Sequence, residues 1–83
     1  MQIRLVDRRS AEPLPARLCD VSAYGIGLRV GRPVAPGTEF ILELSDARED
    51  VSALRYRAAR CRPLGNGMFH VGAAFVRTPS DSN

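Results

Sequence analysis

Apolar and polar positions alternate with a period of two along most of the chain. Ile26, Leu28 and Val30 are separated by Gly27 and Arg29, Phe40, Leu42 and Leu44 by Ile41 and Glu43, and Phe69, Val71, Ala73 and Phe75 by His70, Gly72 and Ala74. Successive side chains of a strand point to opposite faces, so each run predicts a strand with one face toward a core, and the last carries two phenylalanines inward. Over residues 51–62 the inward set begins as Leu54 and Tyr56 and changes to Ala59 and Cys61, with Arg55, Arg57, Arg60 and Arg62 outward. That slip at Ala58-Ala59 predicts a β-bulge, one extra residue on one strand of a pair. Residues 2–6 and 16–21 read as a further strand pair joined across 7–15, where Pro13 and Pro15 block a helix.

Turn chemistry separates the runs. Residues 32–37 hold two prolines and a glycine, 45–50 are polar and charged, and Gly65-Asn66-Gly67 accepts positive φ in a tight reversal. No segment has helical period and adequate length, although 45–53 leaves room for one turn. Six short antiparallel strands with regular turns predict an all-β fold, a small six-stranded antiparallel β-barrel, whose closure removes the edges of a flat sheet. The barrel domain spans 1–76, and 77–83 reads as a frayed tail.

Length and composition bound the function. A chain of 83 residues holds one domain with a modest core, burying about 60–65% of the surface its unfolded state exposes, which excludes a multi-domain enzyme. All 12 cationic side chains are arginine, against 9 acids, giving a net charge of +3. Guanidinium groups grip phosphates and stack on bases in ways lysine does not. These arginines are scattered, however, without a basic run, and biased codon usage with a solvated face accounts for most of them. Cys19 and Cys61 are too few for a disulfide framework and read as reduced thiols packed in the core. Without an apolar stretch of membrane-spanning length or a signal-peptide run, the expectation is a cytoplasmic module with no membrane insertion, alone or as a piece of a larger chain.

One segment places candidate chemistry at a strand-to-strand turn: Asp20-Val21-Ser22-Ala23-Tyr24-Gly25, a carboxylate, a hydroxyl and a glycine whose polar atoms can converge on one point outside a barrel. The plainer reading is that Asp20 and Ser22 bond their own turn and that Gly25 supplies an unusual φ. His70 projects outward with no partner acid or nucleophile at a recognisable spacing, and reads as a surface histidine. Glu49-Asp50 lies in a polar loop. No catalytic residue and no metal ligand set is expected, so an enzyme has nothing to stand on. A nucleic-acid-binding barrel would need aromatic platforms among cations, and four of the five aromatics fall in apolar strand phases, leaving Tyr24 alone.

The order Asp20-x-Ser22-x-x-Gly25, an apolar strand, and then Phe69-His70-Val71-Gly72-Ala73-Ala74-Phe75 resembles the PilZ family of bacterial cyclic di-GMP receptor domains. The likeness rests on the D/N-x-S-x-x-G turn and the closing strand, and covers most of residues 3–76. It implies a six-stranded barrel that is a regulatory domain and not an enzyme, with cyclic di-GMP as ligand and no other cofactor. It also implies that Asp20, Ser22 and Gly25 contact a guanine edge and the nearby ligand backbone. A carboxylate accepts from guanine N1–H and N2–H₂, a hydroxyl bonds phosphate or base, and a glycine lets the ligand approach the main chain.

The family's R-x-x-x-R arm precedes the first strand. Arg4 and Arg8 have that spacing and stand as further ligand candidates, but Arg4 lies within the first strand. A reversal centred near Ser10-Ala11 pairs Arg4 near Arg17 and sets Met1 near Asp20. Arg8 and Arg9 then sit roughly 20–30 Å from the Asp20 turn at about 3.3 Å per residue. Two expectations follow. Either the chain is a fragment cut after the arm, or it is a divergent member that does not bind the nucleotide unaided and acts as a protein–protein interaction module. In the receptor reading, binding reorders the segment before the barrel and changes the surface met by a neighbouring domain or partner protein.

Overall fold

The computed structural model describes residues 2–7, 13–48 and 50–76 of the chain. They form six strands: β1 (Gln2–Asp7), β2 (Leu14–Val21), β3 (Gly25–Val30), β4 (Glu39–Ser45), β5 (Val51–Pro63) and β6 (Phe69–Phe75), with no helix among the described residues. The strands close into a barrel in the order β1-β2-β3-β6-β5-β4, every neighbouring pair antiparallel. Two of the six seams join strands that are not consecutive: β3 with β6, through Gly27 opposite Gly72, and β1 with β4, through Arg4 opposite Glu43.

The predicted alternation fills the barrel. Ile26, Leu28 and Val30 of β3, Phe40 and Leu42 of β4, Tyr56 of β5 and Val71 and Ala73 of β6 are buried together with Leu5 and Val34. Leu28, Val30, Phe40 and Val71 are the largest fully covered side chains, each contributing about 1.5–3 kcal/mol of apolar burial. Phe40 stacks on Tyr56 with ring centroids 6.2 Å apart. The turns use the chemistry the sequence offers. Gly37, Gly65 and Gly67 all have positive φ, and Asp46 Oδ1 accepts from the amides of Arg48 and Asp50 at 2.8 and 3.1 Å between β4 and β5.

Several expectations need correction. Phe75 is 53% exposed rather than a core residue, because β6 ends there, at the barrel rim, where it makes a T-shaped contact with the Tyr56 ring. β2 begins at Leu14, so Pro15 is a strand residue and Arg4 stands opposite Pro15 instead of near Arg17. Pro15 stands opposite Arg4 at the last described pair of the β1–β2 ladder toward Val21, a ladder end where a proline is tolerated. Residues 8–12, which contain Arg8, Arg9 and the Ser10-Ala11 reversal, lie outside the described residues, as does the 77–83 tail.

Two bulges set the outer surface. In β5 the register passes from Ala58 opposite Ala73 to Arg60 opposite Gly72. The extra residue is Ala59, which is exposed, while Ala58 is the buried one. The bulge was legible in the sequence, but its inward alanine is Ala58, because the Tyr56 phase persists one step further before it resets. β2 contains a second shift, from Leu18 opposite Leu28 to Asp20 opposite Gly27, with Cys19 as the extra residue. Cys19 is accordingly exposed rather than packed in the core, and only Cys61 touches the core.

Candidate functional site

The two bulges flank the β3–β6 seam, and each resets the phase of its strand. In a strand without the bulge at Cys19, Asp20 would share the inward phase of Ala16 and Leu18, and without the bulge at Ala59, Arg60 would share that of Ala58. With them, Asp20, Gly27, Gly72 and Arg60 form one outward row across β2, β3, β6 and β5. Three strand steps of about 4.8 Å set its length. A carboxylate stands at one end, a guanidinium at the other, and two residues without side chains lie between them. The row crosses a groove of about 340 Å³ whose lining includes Asp20, Ser22, Tyr24, Arg60 and His70.

The glycines are there for space. A Cβ at Gly27 would stand 2.6 and 2.8 Å from the Asp20 carboxylate oxygens and 2.8 Å from His70 Nε2. A Cβ at Gly72 would press on the Arg60 side chain, 3.1 Å from its Nε. One at Gly25 would collide with the Ala73 carbonyl oxygen, which belongs to the backbone and cannot step aside. Gly25 is not among the residues with positive φ, so close packing of the turn on β6, and not an unusual φ, is what requires it.

Ser22 and Asp20 divide the work of the turn. The Ser22 amide donates to the Gly25 carbonyl at 2.9 Å. Its hydroxyl lies 3.4 Å from that carbonyl and accepts from the Tyr24 amide at 3.4 Å, long bonds that a better partner can replace. Asp20 makes no bond to its own turn. Its carboxylate is 67% exposed, and its Oδ2 lies 3.6 Å from His70 Nε2. His70 is therefore not the isolated surface histidine that spacing suggested. Its side chain is only 17% exposed and faces an acid, because the missing Cβ of Gly27 lets β2 and β6 reach each other across β3. Tyr24 is 87% exposed at the mouth of the groove.

The chain matches the family model for the PilZ domain over residues 1–83. The chain belongs to the PilZ family. PilZ domains are regulatory binding domains, the family of cyclic di-GMP receptors, and the closed six-stranded antiparallel barrel agrees with that fold. No curated protein and no solved structure matches the chain significantly.

Within this PilZ barrel the candidate residues are distributed unevenly. Asp20, Ser22 and Gly25 rim the same groove. Arg4 is five residues along β2 from Asp20, counted from its partner Pro15, or roughly 17 Å at about 3.3 Å per residue. Its guanidinium donates to Glu43 Oε1 at 2.9 Å. Arg8 falls outside the described residues. The sequence reading missed His70 and Arg60 as groove residues. The signal it lacked was the β2 bulge, and one sign of it was present: a carboxylate at position 20 falls in the phase of Ala16 and Leu18, where an unpaired acid is not buried. No helix among the described residues is long and apolar enough to cross a membrane, and no group of three potential metal-ligating side chains occurs among them.

Proposed function

We propose that this domain is a receptor for cyclic di-GMP that binds the nucleotide through the Asp20-Ser22-Gly25 turn and signals by changing the surface around the turn. The observation that carries the reading is the exposed Asp20 carboxylate, turned outward by the Cys19 bulge at the rim of a groove floored by Gly27 and Gly72. Such a carboxylate accepts two hydrogen bonds from the N1–H and N2–H₂ edge of guanine. The long bonds of the Ser22 hydroxyl leave it able to turn to a phosphate or base, and the absent Cβ atoms of Gly27 and Gly72 let the Asp20, His70 and Arg60 side chains lie low against the sheet, where a ligand in the groove meets them. Tyr24, exposed beside them, offers a face for stacking. Ligand that binds the ordered form of the turn and of the preceding segment shifts the population toward it, which is how a domain without catalytic groups transmits a signal.

A second reading keeps the barrel but not the ligand: a divergent domain that works by protein contact. The engagement of Arg4 with Glu43 favours it, since that guanidinium is already committed away from the turn. Calorimetric titration with cyclic di-GMP separates the two. The receptor reading expects saturable heat that Asp20→Ala largely abolishes. Silence at high micromolar ligand gives the interaction module, and full affinity in Asp20→Ala removes the turn from the site.

A further inference from the structure

The turn presents a negative charge to a ligand that is itself a dianion, so Asp20 alone repels what it must bind. The outward row next to the glycine floor holds the opposite charge. Arg17 of β2 stands opposite Arg29 of β3, Arg29 opposite His70 of β6, and His70 opposite Arg62 of β5, with Arg60 one outward position further along β5. Asp20 is the one acid in the sequences of these four strands. None of the four guanidinium groups is in an ion pair among the described residues, whereas Arg4 and Arg57 each face a glutamate directly across a seam. Like charges directly opposite on one face of a sheet are destabilising, so Arg17 against Arg29 is a pairing that the fold does not need for its own sake. Arg60, moreover, lies over Gly72 and lines the groove that Asp20 lines.

We infer that the barrel wall supplies the phosphate-binding charge of the site: Arg60 and Arg62, extended by Arg29 and Arg17, bind the phosphate groups of a small dianionic ligand whose base edge reaches Asp20. The inference rests on the proposed receptor function and deepens it, since it assigns the phosphates to strand residues of β5 and β3 and not to an arm ahead of β1. The geometry suits the division. The base end has an acceptor and a stacking face, the phosphate end has planar donors, and Asp20 and Arg60, lying over Gly27 and Gly72, bring both ends to one groove. His70, in the same row as Arg29 and Arg62 and 3.6 Å from Asp20, lies between the two ends.

The test compares Arg60→Gln, Arg62→Gln and the double variant with the parent chain and with Arg48→Gln, an exposed turn arginine, by calorimetry with cyclic di-GMP at low and high salt. Each wall variant is expected to weaken binding roughly tenfold and to flatten its salt dependence, as loss of a charge-assisted bond does, while Arg48→Gln changes neither. Unchanged affinity and salt slope in the double variant, alongside loss in Asp20→Ala, overturns the wall assignment and leaves the receptor function standing. If the parent chain does not bind the nucleotide, amide NMR shifts with inorganic pyrophosphate decide the wall separately. Shifts at Gly27, Gly72 and His70 that vanish in the double variant support an anion-binding wall without the nucleotide, and their absence overturns it. Preference for a single-stranded oligonucleotide over the cyclic dinucleotide also overturns the proposal, because it makes the row a polyanion track.

Discussion

The two halves of the barrel surface handle charge in opposite ways. Across β1, β4 and β5, cation meets acid directly: Arg4 pairs with Glu43 at 2.9 Å and Arg57 with Glu39 at 2.6 Å, both cross-strand neighbours. Across β2, β3, β6 and the far end of β5, arginine stands opposite arginine or histidine, glycine opposite glycine, and the one acid is turned outward by a bulge. Exposed pairs of the first kind are worth about 0–1 kcal/mol and suit a wall that only has to be soluble. The second arrangement gives up cross-strand complementarity, and it stores unmatched charge around the glycine floor. The face that is worse for folding is the face that holds the Asp20 groove.

Both halves share one core, and the largest expected effect tests that. Leu28 is fully buried beneath the floor, so Leu28→Ala should cost about 2–5 kcal/mol, read as a lower denaturation midpoint by circular dichroism. A loss below 1 kcal/mol would show that the barrel interior does not hold β3 in place.

Next in size are the glycines, which separate folding from binding on the same face. Gly25→Ala forces a Cβ against the Ala73 carbonyl and is expected to lose about 1–3 kcal/mol, as overpacking does. The atoms nearest the new Cβ of Gly27→Ala are the ends of the Asp20 and His70 side chains, and the exposed Asp20 is free to swing outward, so stability should move by less than about 1 kcal/mol while ligand affinity falls. Equal stability losses in the two variants would erase the distinction between a packing glycine and a floor glycine.

Smaller, and of opposite sign on the two faces, are charge reversals. Arg29→Glu places an acid between Arg17 and His70 and should stabilise by about 0.2–1 kcal/mol, whereas Glu43→Arg opposes Arg4 and should destabilise by about as much. Urea denaturation at low salt reads both, and the same sign for both would mean the contrast between faces has no energetic content. The smallest effect is chemical: Cys19, exposed at the bulge, should react with a thiol reagent well before Cys61, with little change in stability. Faster modification of Cys61 would place the bulge elsewhere.

Much of the barrel was legible in the alternation of Ile26, Leu28 and Val30 with glycine and arginine, because a one-sided core imposes a period of two that few other constraints disturb. The β5 bulge was legible for the same reason: two alanines in succession break that period. What could not be read was which strands meet. Asp20 and His70 are fifty residues apart and on strands that do not pair; they face each other only because β3 lies between them and Gly27 carries no side chain. The Asp20 turn itself could be picked out from its residue types, but the groove beside it depends on two bulges whose effect is three-dimensional, and on Gly27 pairing with Gly72 across a seam between non-consecutive strands. Phe75 misled because alternation gives the phase of a strand and not the height at which the barrel ends.

In the receptor reading the glycine-floored face is the ligand face. Amide chemical shifts of the isotope-labelled chain, followed through a titration with cyclic di-GMP, test it most directly. The shifts are expected to concentrate at Gly25, Gly27, Gly72 and the Ser22 turn while Arg4 and Glu43 stay still. Shifts centred on the β1–β4 seam, with the floor unmoved, would contradict it.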